Sequence, residues 1–158
     1  MRWLLTGVLP YKWVKQMMKE NRNEVVIQGT VAEAWETLTN FAQYSKWNPL
    51  IHRVEGKLEV GEKVQIFVNK GKEEQIFTCE IARLDPPHEF SWKFYERTPF
   101  LYRGEHIFRV KQIDEQRIRF VDRETFAGLL VIFKKVEKMK SGMLIMDKAL
   151  KKWVEEAV

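Results

Sequence analysis

A single cysteine, Cys79, stands in a chain of 158 residues, and a lone thiol can form no internal disulfide. The fold is therefore expected to rest on its apolar core, with no need of an oxidising compartment. Cys79 falls in the alternation Phe77, Cys79, Ile81, which reads as a buried, inert thiol; a nucleophile would need a base beside it, and the sequence places none there. Long apolar runs are missing too. Trp3 to Leu9 is apolar but too short to cross a bilayer. It leads into Pro10-Tyr11-Lys12 rather than a small-residue cleavage site, so it does not read as a secretory signal. Cytoplasmic residence is the expectation. With 8 glycines and 5 prolines there is no low-complexity linker, and no repeat divides the chain.

The usual catalytic signatures are absent. No glycine belongs to a GxGxxG or GxxxxGK[ST] phosphate loop, and there is no GxSxG elbow. His52, His88 and His106 lie on separate elements without ligand spacing, so neither a metal nor a cofactor is expected. Nucleic acid is not an expected partner, because no zinc pattern, GxxG clamp or RNP-like motif occurs. The net charge of +5 is dispersed, most basic residues standing beside acids as in Lys134-Lys135-Val136-Glu137-Lys138. Such a run reads as a solvated face.

What the chain has is apolar and aromatic mass: 45% hydrophobic residues, including six Trp and ten Phe. That suits a core or the wall of a ligand cavity. Near the start, Trp13, Val14, Met17 and Met18 fall at helical spacing with Lys12, Lys15, Gln16 and Lys19 opposite. This predicts a short basic amphipathic helix, packed on the domain, with residues 1–20 as the candidate membrane contact. Residues 1–23 are accordingly read as an extension and 24–158 as the domain.

Glu24 to Gly29 reads as a strand. Thr30 with Glu33 forms a capping box that opens a helix carrying Val31, Ala34, Trp35 and Leu38 on one face. A second short helical turn carries Phe41, Tyr44 and Trp47. From Ile51 to Phe126 the period becomes two, in Val64-Ile66-Val68, Phe77-Cys79-Ile81, Phe90-Trp92-Phe94, Tyr102-His106-Phe108 and Ile118-Phe120. Half-buried antiparallel strands alternate in this way, and the turn signals between them give about six strands. After Gly128 the stripe Ile132, Val136, Met139, Met143, Met146, Leu150, Val154 predicts one long helix, which needs a sheet to lie on.

A second line of reading is a resemblance. Thr30 to Leu38, Tyr44-Ser45-Lys46-Trp47-Asn48-Pro49, Gly104 to Phe108 and Asp122 to Leu130 resemble the polyketide cyclase/dehydrase-like (SRPBCC) branch of the START and Bet v 1-like superfamily. The likeness covers about residues 24 to 158. It implies an α+β helix-grip fold, with a curved antiparallel sheet of about seven strands around a long C-terminal helix, and two short helices after the first strand. It also implies ligands such as lipids, sterols, hormones or polyketides.

A last hairpin turning on Asp114-Glu115-Gln116 sets His106 opposite Glu124, Phe108 opposite Asp122 and Gly104 opposite Phe126. Parity points His106 and Glu124 inward. A carboxylate beside the imidazole is expected to raise its pKa, making the pair a polar anchor or a general acid/base. Cys79 and Asp122 are the other polar candidates on the inner face. The expected cavity is lined by Trp92, Phe94, Tyr102, His106, Phe108, Phe120, Glu124, Met139 and Met143. Three functions remain open: binding or transport of an apolar or amphipathic small molecule; a cyclase or dehydratase using His106 and Glu124; and a peripheral interaction module with a filled core. Neither catalysis nor oligomeric state is fixed by the sequence.

Overall fold

The period-two middle of the chain forms one antiparallel sheet. The computed structural model describes residues 15–157. Its strands are β1 (Met18–Gln28), β2 (Ile51–Glu55), β3 (Lys63–Lys70), β4 (Glu73–Asp85), β5 (Glu89–Glu96), β6 (Tyr102–Gln112) and β7 (Arg117–Ala127). They lie in the order β1-β7-β6-β5-β4-β3-β2. Register breaks between Ile51 and Arg53 and between Ile81 and Arg83 bend the strands, as bulges do. The sheet curls around the C-terminal helix α3 (Lys140–Glu156), and the short helices α1 (Val31–Thr39) and α2 (Tyr44–Trp47) follow β1. This is the expected helix-grip arrangement.

Local chemistry explains the boundaries. Thr30 accepts from the Glu33 backbone N–H, and Glu33 accepts from the Thr30 N–H at 2.7 Å. This capping box starts α1 and buries Ala34 and Leu38. The hairpin register is the expected one, with His106 paired to Glu124, Phe108 to Asp122 and Gly104 to Phe126.

Two expectations need correction. The strand expected from Glu24 begins at Met18, and residues 18–23 pair with Ala127 back to Asp122. Met17 is a turn residue and Met18 an exposed strand residue, so the amphipathic helix does not reach its last two predicted positions. Its earlier part, through Val14, lies outside the described residues. The long helix expected after Gly128 starts only at Lys140. Before it come two 3-10 turns, Leu129–Phe133 and Val136–Met139, with Lys134 extended between them. The cause is competition from the sheet: Lys19 and Asn21 of β1 donate to the Lys134 and Val136 carbonyls at 2.7 Å each, groups that a continuous helix would pair with the N–H four residues on. Ile132 and Met139 are consequently exposed, whereas Val136, Met143, Met146, Leu150 and Val154 are buried as expected.

The core fills one half of the grip. Phe90 stacks on Phe108 with centroids 4.8 Å apart, and Trp92 meets Phe108 edge-on at 5.0 Å. Trp35 and Phe41 close against Phe90 from the helices. Full burial of each such ring contributes roughly 2–3 kcal/mol.

Candidate functional site

At the other half the sheet and α3 stand apart and leave a cavity of about 470 Å³. Apolar side chains from β2 to β5, among them Ile51, Ile66, Val68, Phe77, Trp92 and Phe94, form its wall, and Met139, Gly142 and Met143 face them from the helix side. Gly104 shapes this wall. A Cβ there would sit 2.5 Å from the Phe94 ring, so only glycine lets Phe94 lie flat over β6.

His106 and Glu124 are the acid–base groups on the lining. Among the expected residues, Trp92, Phe94, Met139 and Met143 join them there. Tyr102, Phe108 and Phe120 do not. Phe108 and Phe120 lie deeper, stacked parallel behind His106, because the sheet curvature turns their positions into the packed half. Tyr102, at the start of β6, faces a separate, more open groove of about 540 Å³, with the Lys134 ammonium 4.8 Å from its ring centroid.

Behind the cavity lies a polar cluster larger than the His–Glu pair. His106 Nε2 is 2.5 Å from Asp122 Oδ1, while His106 Nδ1 is 3.5 Å from Glu124 Oε1. Asp122 is therefore the closer partner, and the network assigns the ring proton to Nε2. The Asp122 carboxyl lies beside that of Asp147 of α3, where a protonated carboxyl can donate to the other; Asp122 Oδ2 and Asp147 Oδ1 have no other partner, and Asn23 donates to Asp147 Oδ2 at 3.1 Å. Asn21 donates to the Val136 carbonyl at 2.7 Å and borders Glu124. One connected set of side chains thus ties β1, β6, β7 and α3 together beneath the ligand space.

Burial governs its protonation. Desolvation pushes Asp147 up to about 8, with Asp122 adding to the rise, and pushes Asp122 up to about 7 against the lowering hydrogen bond from Asp147. Asp147, the weaker acid, is the donor of that bond. Glu124 is also raised by desolvation, opposed chiefly by His106. The imidazole moves the other way: burial lowers its pKa, and Glu124 and then Asp147 only partly oppose this. The rise expected from the Glu124 carboxylate is thus reversed, because removing a cation from water outweighs a partner 3.5 Å away. Near neutral pH the cavity meets an uncharged imidazole whose Nδ1 is not tightly engaged. Beside it Glu124 Oε2 is buried without a protein partner. A weak base and a weak acid side by side can hold a carbonyl or hydroxyl group, or exchange a proton with it.

Cys79 also lines the cavity, and burial pushes its thiol up to about 12, the inert state expected. Among the described residues no His, Cys, Asp or Glu cluster is arranged to hold a metal ion. Sequence reasoning missed Asp147, Asn21 and Asn23. Asp147 lies four residues after Met143 and three before Leu150, a lone acid on an apolar stripe, and that position was a usable signal.

Comparison with known proteins gives the same architecture. The sequence model of the family described as polyketide cyclase/dehydrase and lipid transport matches residues 18–158. The structure resembles the Zhui aromatase/cyclase from Streptomyces sp. R1128, with TM-score 0.71, 20% identity, and coverage of 87% of this chain and 94% of that one. It resembles norcoclaurine synthase from Thalictrum flavum in complex with dopamine and hydroxybenzaldehyde at TM-score 0.69 and 14% identity, covering 99% and 97% of the two chains. The di-domain aromatase/cyclase StfQ of the steffimycin biosynthetic pathway aligns at TM-score 0.73 and 11% identity, over 93% of this chain and 54% of that one. No curated protein matches the sequence. At these identities the structural likenesses establish the fold alone.

Proposed function

The chain belongs to the polyketide cyclase/dehydrase and lipid transport family, and from that premise we propose that it binds or carries one apolar or amphipathic small molecule, lipid- or polyketide-like. The observation that carries this reading is the cavity of about 470 Å³, apolar on its walls and polar where His106 and Glu124 meet it. Its size is that of a small-molecule site. The apolar body of the ligand packs against Trp92, Phe94 and Met143. A carbonyl or hydroxyl at its inner end takes the free Glu124 Oε2 and the imidazole. The alternative of an interaction module with a filled core does not fit a space of this size.

A second reading has its own support. His106, held through Nε2 by Asp122 at 2.5 Å, turns Nδ1 toward Glu124 and the ligand space. That arrangement suits a cyclase or dehydratase in which the imidazole accepts a proton and the Glu124 carboxyl gives one. The expected pair thereby gains Asp122 and Asp147 as supports.

Titrating apolar aromatic ketones and fatty acids against the fluorescence of Trp92, with Trp92→Phe as the control, tests the first reading. A saturable change absent from the control supports it, and no saturable response in either ligand class refutes it. His106→Phe separates the two readings: a carrier loses no more than about fivefold in affinity, the worth of one hydrogen bond, whereas an enzyme loses turnover.

A further inference from the structure

The segment between β7 and α3 carries a surface that ligand binding does not explain. Phe133 is 81% exposed and Phe100 is 68% exposed, values that large aromatic side chains on water-facing loops rarely keep without a use. The two belong to one ledge, because the Leu129 and Leu130 N–H groups donate to the Phe100 and Leu101 carbonyls and so bind the Leu129–Phe133 turn to the loop before β6. Ile132 and Met139 are exposed on the same segment, and Ile76 borders the adjoining groove together with Met139.

The charge around this ledge has one dominant sign. From Lys134 to Lys140 the chain carries four lysines and one acid, Glu137. Lys134 is spent on Glu96, 3.0 Å away. Lys135, Lys138 and Lys140 are exposed, and among the described residues none of the three is in a salt bridge. Lys138 and Met139 also line the cavity, so the segment that carries the ledge runs on into the ligand space.

Resting on the binding reading, we propose that this ledge docks on an anionic lipid bilayer and presents the cavity mouth to the membrane. Phe133 and Phe100 enter the interfacial layer, where aromatic side chains are favoured. Lys135, Lys138 and Lys140 meet lipid phosphates and carboxylates. A protein partner would need complementary shape over a broad patch. A bilayer needs only the apolar tip and the ring of cations that are present. An amphipathic ligand then passes between membrane and cavity beside Met139 without crossing open water. The contact lies in the segment between β7 and α3, apart from residues 1–20, the candidate membrane contact in the sequence.

The test is co-sedimentation of the full chain with vesicles of phosphatidylcholine alone and of phosphatidylcholine with phosphatidylserine. The variants are Phe100→Ser/Phe133→Ser and Lys135→Glu/Lys140→Glu. Wild-type protein is expected to partition onto the anionic vesicles and to come off as salt is raised. Both double variants should lose roughly tenfold or more of that partitioning, since each surface lysine is worth about fivefold. All four positions are exposed, so thermal melts and ketone titrations without vesicles should match wild type. Wild-type protein that ignores anionic vesicles overturns the proposal. Variants that bind as well as wild type overturn it equally and return the contact to residues 1–20. The ketone titration without vesicles decides the binding reading separately.

Discussion

The two halves of the grip are built from the same kinds of residue and do opposite things with them. In the closed half Phe90, Phe108, Phe120 and Tyr44 are fully buried against one another. In the open half Phe77 and Phe94 face empty space, and Phe100 and Phe133 face water. The chain's path makes the difference. The helices after β1 cover β5 and β6 at one end, while two 3-10 turns replace the first turns of the expected long helix at the other. The second of these turns puts Met139 on the cavity lining. The cavity lies beside these turns, and the buried cluster of His106, Asp122 and Asp147 stands at the border between the packed and the open half.

The contrast can be broken most forcefully by removing one ring from each half. Phe90→Ala should cost about 3–5 kcal/mol, the range for a large aromatic truncated in a packed core. Phe133→Ala should cost less than about 0.5 kcal/mol, as surface changes do. Chemical denaturation of both variants checks this, and equal losses would erase the distinction.

The border cluster gives the next largest effect. A carboxyl whose folded pKa lies above its unfolded value contributes stability at low pH, and that stability is lost as pH rises through the folded value. For Asp147 that value is about 8, so above it the folded protein holds an unwanted buried charge. Asp147→Asn keeps a donor for Asp122 and removes that charge. Its gain over wild type should grow by roughly 2 kcal/mol or more between pH 5 and pH 8, where the unfolded carboxyl is ionised and the folded one still holds its proton, and level off above pH 8. Melting curves at both pH values read this directly, and a gain independent of pH would contradict the assignment.

Smaller effects sharpen the open half. Gly104→Ala pushes Phe94 off β6 and into the cavity, at a cost of about 1 kcal/mol in stability, with a larger loss in ketone affinity. His106→Phe should weaken a carbonyl ligand by roughly fivefold, the worth of one hydrogen bond, and leave a purely apolar ligand unaffected. Affinity changes that fail to track the ligand's polar group would remove His106 from the anchor.

Sequence made the fold and half of the site readable, for reasons visible in single residues. The Asp114 turn fixed the β6–β7 register, and period-two parity then pointed His106 and Glu124 inward. Parity could not say which inward residues meet a cavity and which meet packing, so Phe108 and Phe120 were placed with Trp92. That distinction depends on curvature set by breaks near Arg53 and Arg83. The first half of β1 was hidden by its own function. Asn21 and Asn23 are buried because they serve Val136 and Asp147, and a strand with amides on its inner face lacks the apolar alternation that marks strands. Asp147 was lost likewise, a polar residue on a stripe read for apolar ones.

Native mass spectrometry of protein purified without detergent, followed by solvent extraction, shows whether the open half holds a small molecule. One apolar or amphipathic compound per chain is expected, or a 1:1 adduct on adding a ketone or fatty acid that bound in solution. A bare mass, with no adduct and no thermal shift across lipids and aromatic ketones, would contradict it.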